Sequence, residues 1–162
     1  MDIEFELIIA AKLLLAMLLG GIVGFQREVT HKSAGLRTFG AISLAACLFV
    51  AIASHLTDDK TAIARMLAAI ATGLGFIGAG LIFNNRDRNT VGLTTASALW
   101  ATAAIGVAVA LNMFILAVVA TAAIYLLLSL NNLHWYQRII KRKMDRGGSG
   151  GKESNDKTYP RD

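Results

Sequence analysis

The sequence predicts an all-α integral membrane protein with about five transmembrane helices. Hydrophobic residues make up 55% of the 162 residues, and the mean hydropathy is +0.55, which is more apolar than an ordinary soluble domain. These residues gather in runs with at most one charged residue, and the runs approach the length, about 20 residues, that a helix needs to cross the hydrocarbon core. The formal charge is +5, but the bases collect in the short links between the runs and after the last run. That distribution indicates membrane orientation and argues against nucleic-acid binding.

Five spans can be placed, at about 7–25, 38–54, 66–85, 93–110 and 113–133. Asp2, Glu4 and Glu6 precede the first span where a cleaved signal would need bases, so this span is expected to persist. No Lys, Arg, Asp or Glu lies between Arg88 and Arg138. Because one helix through this stretch would measure about 70 Å against a core of about 30 Å, the chain must reverse, and we place the reversal at 110–112.

The bases predict the orientation. They occupy the first link, the third link and the segment after the fifth span: Arg27, Lys32, Arg37, Arg86, Arg88, Arg138, Lys141, Arg142, Lys143 and Arg146. Because such bases tend to remain on the cytoplasmic side, these three regions are expected inside, with the N-terminus outside and the C-terminus cytoplasmic. Asp58 and Asp59 in the second link fit the outer side.

We divide the chain into a transmembrane domain at 1–134, a basic interfacial segment at 135–146 and a disordered tail at 147–162. The interfacial segment opens with Trp135 and Tyr136, a pair typical of the aromatic belt at a membrane surface. The tail is rich in Gly, Ser and charged residues and cannot build a core. Cys47 is the single cysteine, which excludes an intrachain disulfide.

Glycines in spans one and three are predicted helix-packing residues: Gly20, Gly24, Gly73, Gly75, Gly78 and Gly80. Those of span three satisfy the dinucleotide-binding spacing G-x-G-x-x-G, but they lie in an apolar run, and Ala98 stands where an acidic residue would be required. Because small residues let helices approach closely in lipid, we favour packing seams, within the chain or in a homo-oligomer. The alternative is a broken third helix that lines a pathway. Span four carries a similar stripe: Ala98, Thr102, Gly106 and Ala110.

Polar residues at the span ends are the candidate functional residues: Gln26, Arg27, Glu28, Arg37, Thr38, Arg65, Thr94 and Thr95. All except Arg65 are expected near the inner face. One interpretation is a basic vestibule in which Arg27 and Arg37 bind an anionic lipid headgroup, phosphate or an acidic partner segment. The alternative is that Arg27 and Glu28 pair with each other while the remaining bases only anchor the topology.

Catalysis and metal binding are not indicated. The spans contain no interior Asp or Glu, which are the ligands that magnesium prefers. His31, His55 and His134 lie in three separate boundary regions without metal-ligand spacing. Since no nucleophile and base stand in a recognisable arrangement either, we expect no enzyme, cofactor or resident metal.

Four motifs in order resemble the MgtC/SapB family of membrane proteins. They are Gly24-Phe25-Gln26-Arg27-Glu28, then Ala34-Gly35-Leu36-Arg37-Thr38, then Arg65 with Gly73-Leu74-Gly75-Phe76-Ile77-Gly78-Ala79-Gly80, then Gly92-Leu93-Thr94-Thr95-Ala96 with Trp100. The resemblance covers most of residues 1–130. Two positions depart from the family pattern: Gln26 stands where Glu is usual, and Ala69 where Gln is common.

The resemblance implies a bacterial inner-membrane protein tied to growth in low magnesium and, in pathogens, to survival inside host phagocytes. It also implies regulation through other membrane proteins, such as the F-type ATP synthase. Longer members carry a soluble C-terminal domain, and here we expect a short form without it.

Our leading hypothesis is a non-enzymatic protein that modulates membrane partners or physiology under low magnesium, acid stress or host infection. The alternative is a small oligomeric transporter or channel for magnesium or another small solute.

Overall fold

The computed structural model describes residues 3–83 and 92–130, and these form five helices without a strand. The helices are α1 (Ile3–Val29), α2 (Leu36–Leu56), α3 (Lys60–Phe83), α4 (Leu93–Ala110) and α5 (Phe114–Ser129). The prediction of an all-α fold is therefore confirmed. The third-link bases Arg86 and Arg88, the basic segment 135–146 and the tail 147–162 lie outside the described residues. The chain forms a compact unit that ends at Leu128.

Four helices, α1 to α4, are long and apolar enough to cross a membrane. The fifth, α5, is apolar but has 16 residues, which corresponds to about 24 Å of helix. Residues 131–133 of the predicted fifth span lie outside the described residues. The chain is a helical membrane protein, and its helix bounds follow the apolar runs of the sequence.

The link between α1 and α2 is a tight turn that closes the end of α1. The Lys32 N–H donates to the Arg27 carbonyl at 3.1 Å, and the His31 N–H donates to the Glu28 carbonyl at 3.0 Å. This is the Schellman pattern, which needs a residue in the left-handed region, and His31 takes that place with φ 53°. The turn satisfies the last carbonyls of α1 and directs the chain back along it.

The reversal between α4 and α5 is also a Schellman turn, and it lies at the place that the sequence predicts. The Met113 N–H donates to the Ala108 carbonyl at 2.8 Å, and Asn112 takes the left-handed position with φ 62°. The Ala110 carbonyl, at the end of α4, accepts a hydrogen bond from Lys12 Nζ at 3.3 Å. A cation at a helix C-terminus is favourable, so Lys12 ties α1 to this reversal.

The core lies where α1, α2 and α4 cross, and small residues set the distance between them. A Cβ added at Gly20 of α1 would lie 2.6 Å from Ser43 Cβ and 2.7 Å from the Phe39 carbonyl oxygen. A Cβ at Gly106 of α4 would lie 2.9 Å from the Ser43 carbonyl carbon and directly against its oxygen. The backbones can approach this closely only because both positions lack a side chain. The whole stripe on α4 is buried: Ala98, Thr102, Gly106 and Ala110.

The third helix, α3, packs on the outside of this core. It is unbroken from Lys60 to Phe83, so the alternative of a broken third helix is not observed. No residue from 60 to 82 is buried by other described residues. Large side chains on α3 meet the core, namely Leu67, Ile70 and Leu81. An open apolar pocket of about 380 Å³ lies between α3 and α2.

The glycines of α3 do not form their predicted packing seam within the described residues. Added Cβ atoms at Gly73, Gly75 and Gly80 would meet no other atom within 4 Å, and one at Gly78 would meet only Ala96 Cβ, at 3.4 Å. The physical reason is that large side chains, rather than glycines, occupy the contact with the core and hold the helix at a distance. Gly75 and Gly80 lie on open surface, whereas Gly73 lines the pocket between α2 and α3 and Gly78 adjoins Ala96.

Candidate functional site

A buried hydrogen bond between two side chains joins the end of α1 to the beginning of α4. Arg27 lies in the last turn of α1 and is 4% exposed. Its guanidinium Nη2 donates a hydrogen bond to Oγ1 of Thr95, which is 3% exposed and lies in the first turn of α4. The two residues are 68 positions apart in the sequence. The contact therefore holds together two helices that also adjoin the first and third links.

Two buried side-chain atoms near the end of α1 have no hydrogen-bond partner among the described residues. They are Arg27 Nε and Gln26 Oε1, and both are buried. A guanidinium has five N–H donors and normally saturates them when it is removed from water. We call Arg27 and Thr95 the Arg27 cluster. It presents a positive charge and an N–H donor without a partner, so it can bind a group that carries an anionic oxygen.

Glu28 is directed away from this cluster. Its Oε2 accepts a hydrogen bond from the Leu36 N–H at 3.1 Å, and Leu36 is the first residue of α2. An anion at a helix N-terminus satisfies an otherwise free donor and is favoured by the helix dipole. The predicted alternative, in which Arg27 and Glu28 simply pair, is not what the structure shows. Arg27 and Glu28 are adjacent at the end of α1, but the first bonds to α4 and the second to α2.

Glycine is needed where the first link folds back on α1. A Cβ added at Gly24 would lie 2.7 Å from Leu36 Cα and 2.8 Å from the Gly35 carbonyl oxygen. A Cβ added at Gly35 would lie 2.8 Å from Glu28 Oε2. The two glycines thus permit the close approach that brings Leu36 to Glu28, and they place the start of α2 beside the end of α1.

The remaining candidates do not join the Arg27 cluster. Thr38 and Thr94 are exposed, although they lie at the same end of the bundle. Arg37 is also exposed and lines an apolar groove between α1 and α2 instead. Arg65 is exposed near the beginning of α3, at the opposite end. The predicted vestibule with two arginines is therefore divided: Arg27 faces α4, and Arg37 faces the groove.

Two buried hydroxyls in the middle of the spans were not among the predicted site residues. Ser43 and Thr102 are 0% exposed and lie where α1, α2 and α4 cross. Thr102 Oγ1 donates to the Ala98 carbonyl at 2.8 Å, whereas Ser43 Oγ has no partner among the described residues. Both are hydroxyls inside apolar runs, and this signal was available in the sequence because polar side chains at membrane depth usually face the bundle interior.

Comparison with known proteins identifies the family of this helical bundle. The sequence model of the MgtC family matches residues 13–135, which contain the Arg27 cluster, both core glycines and the glycines of α3. The chain belongs to the MgtC family. No solved structure matches it.

Similar proteins occur in several bacteria. Protein MgtC of Brucella abortus is 43% identical over 115 residues, which is 71% of this chain and 48% of that protein. An uncharacterized protein of Haemophilus influenzae is 34% identical over 149 residues, 87% of this chain and 62% of that one. Escherichia coli YhiD, named as a candidate magnesium transporter, is 36% identical over 124 residues, 72% of this chain and 57% of that protein. The matches span about half to two thirds of these relatives.

Proposed function

We propose that this MgtC-family chain is a non-enzymatic inner-membrane protein that modulates membrane partners or physiology under low magnesium, acid stress or host infection. Its working surface is the end of the bundle that carries the Arg27 cluster, and this end faces the cytoplasm. The observation that carries the proposal is the buried guanidinium of Arg27, bonded to Thr95 and retaining a free donor. A buried ionisable group in a membrane bundle is expensive to maintain and is a functional-site hypothesis by default.

The position of the cluster suits a regulatory role. Arg27 and Thr95 close α1 against α4 beside the residues that lead into the first and third links. An acidic side chain or phosphate that occupied the free donor of Arg27 would compete with Thr95 or reinforce its contact. Either change would alter the spacing of the two helix ends, and hence the surface offered to a partner. By family resemblance, the partner we propose is another membrane protein such as the F-type ATP synthase.

The charge of the cluster supports regulation over cation transport through the monomer. A fixed guanidinium between α1 and α4 raises the electrostatic energy of any cation that approaches it, most steeply for a divalent ion. Passage of magnesium ions along the crossing of α1 and α4 would therefore be electrostatically unfavourable. The same charge attracts acidic segments and phosphates, which are groups that a regulator can sense.

Replacing Arg27 tests the proposal because stability and function should separate. Arg27→Met removes the charge but keeps a long apolar side chain, and because the partner left behind is the uncharged Thr95 hydroxyl, no buried charge loses its partner. We expect the variant to fold normally in the membrane yet lose complementation of a strain that lacks its own copy during growth in low magnesium. Lys60→Gln is the control, since it removes an exposed base from the opposite end of the bundle and should complement fully.

Three further measurements complete this test. Protein levels in the membrane should match wild type, and Arg27→Lys should restore complementation in part because it keeps the charge but not the fork of donors. Partners recovered with the wild-type protein from native membranes should be depleted with Arg27→Met. Full complementation by Arg27→Met at matched levels would contradict the proposal.

Transport by an oligomer is the second candidate. The relative YhiD is named as a candidate magnesium transporter, and here the open glycine surface of α3 is free to line a path between protomers. Flux of magnesium into proteoliposomes decides between the two functions. Saturable uptake by the purified wild-type protein, abolished by Gly75→Leu on α3, would favour the transporter.

A further inference from the structure

An apolar groove runs between α1 and α2 on the side away from the Arg27 contact. It has a volume of about 870 Å³, and Gly21 and Gly40 belong to its lining, together with Phe25 and Tyr125. A Cβ added at Gly40 would lie 4.0 Å from Gly21 Cα, so the two helices meet backbone to backbone at this point. The missing side chains leave a furrow, and its volume falls in the range of about 300–1,000 Å³ that is typical of small-molecule sites.

One charged residue lines this groove, and it is a base. Arg37 lies in the first turn of α2 and is exposed, whereas all the other lining residues are apolar except Tyr125 and the two glycines. Its place in the first turn puts it at the same end of the bundle as the end of α1. The groove therefore combines an apolar channel with a cation at one end.

The length of the groove matches a single leaflet. On α1 its lining extends from Met17 to Phe25, which corresponds to about 12 Å along the helix. Half of a hydrocarbon core measures about 15 Å. An acyl chain from one leaflet can lie in the groove over this depth, with its headgroup at the level where α2 begins.

We propose that this groove is a binding site for an anionic phospholipid, with an acyl chain lying over Gly21 and Gly40 and the phosphate at Arg37. Charge complementarity selects the occupant: a guanidinium binds a phosphate through two parallel hydrogen bonds, and basic pockets between membrane helices bind acidic headgroups. An apolar helix of a second copy in the groove would leave the Arg37 guanidinium without an anionic partner. This inference goes beyond the proposed regulation and does not depend on the Arg27 cluster.

Lipid retention by the purified full chain tests the site. The protein is extracted in mild detergent, exchanged into equal amounts of dioleoylphosphatidylglycerol and dioleoylphosphatidylcholine, and the lipids retained per protein are measured by native mass spectrometry. We expect the wild type to retain phosphatidylglycerol preferentially, and Arg37→Gln to weaken that preference about five-fold. Arg65→Gln, another exposed arginine, is the matched control and should keep the wild-type preference.

A second variant tests the apolar part separately. A Cβ at Gly21 would have only Leu36 Cγ nearby, at 3.9 Å, so Gly21→Leu can fold while it fills the groove. This variant should lose bound lipid of both classes, and Arg37→Gln should lose only the anionic preference. Equal preference in Arg37→Gln and wild type, unchanged retention in Gly21→Leu, or crosslinks showing a second copy in the groove would each overturn the proposal. None of these outcomes bears on complementation through Arg27.

Discussion

Glycines play opposite roles in two regions of this molecule. In α1 and α4, Gly20 and Gly106 lie at helix crossings, where a single added carbon would collide with Ser43 of α2. In α3, Gly73, Gly75 and Gly80 have no other described atom within 4 Å of an added Cβ. Small residues in an apolar helix therefore permit close packing but do not ensure it. Which glycines pack depends on which face a helix turns toward its neighbours.

The largest effect is expected from Gly106→Ala. The new Cβ would press on the backbone of Ser43, which cannot rotate away as a flexible side chain can. We expect the free energy of unfolding to fall by on the order of 3 kcal/mol, the upper part of the range for overpacking a core. Thermal unfolding in micelles, followed by circular dichroism, measures this loss. An unchanged melting temperature would show that α2 and α4 do not cross as closely as described.

Gly20→Ala should follow with a smaller loss. The contacts of its Cβ are Ser43 Cβ at 2.6 Å and the Phe39 carbonyl oxygen at 2.7 Å, so part of the strain can be relieved by a small shift of α1. We expect a loss of about 2 kcal/mol. Gly21→Ala, one position along the same helix, is the matched control because its Cβ has ordinary space. Unfolding of Gly20→Ala and Gly21→Ala at the same temperature would contradict the predicted difference between the two positions.

Gly78→Ala should have almost no effect. Its Cβ would meet Ala96 Cβ at 3.4 Å, close to an ordinary contact, and the slight crowding offsets the gain from replacing glycine in a helix. We expect a change within about 0.5 kcal/mol. A loss as large as that of Gly20→Ala would mean that α3 lies nearer to α4 than the structure places it.

Gly75→Ala should leave the stability of the isolated chain unchanged or raise it by at most about 1 kcal/mol, because alanine is the better helix former and nothing opposes its side chain.

The surface of α3 around Gly75 also tests the predicted homo-oligomer. Gly75→Cys should form disulfide-linked dimers in oxidised membranes, whereas Cys47 in the wild type, which is 0% exposed, should not. Monomeric Gly75→Cys under these conditions would count against oligomerisation through α3.

Much of the fold could be predicted because each run carries its own signal. Hydropathy and the position of charges depend on residues close in sequence, and they placed the helices and the reversal that Asn112 makes. The site was predicted in part: Arg27 and Thr95 were both candidates, but their contact was not foreseen. One of the two interpretations paired Glu28 with Arg27, and instead Glu28 accepts a hydrogen bond from the Leu36 N–H. Neither contact could be inferred from nearby residues, because Thr95 lies on another helix and Leu36 lies across the turn that follows α1.

By itself, then, the sequence determined an apolar helical chain, its membrane-length segments and the family to which it belongs. Partition between lipid and water is a property of each segment's composition, so a single pass along the chain can detect it. The tertiary structure decided that Arg27 turns inward to α4 while Arg37 lines a groove, and that Gly106 packs while Gly75 does not. Those outcomes depend on helix rotation and on the distance between axes, which are set by side chains on all the helices that meet at a crossing.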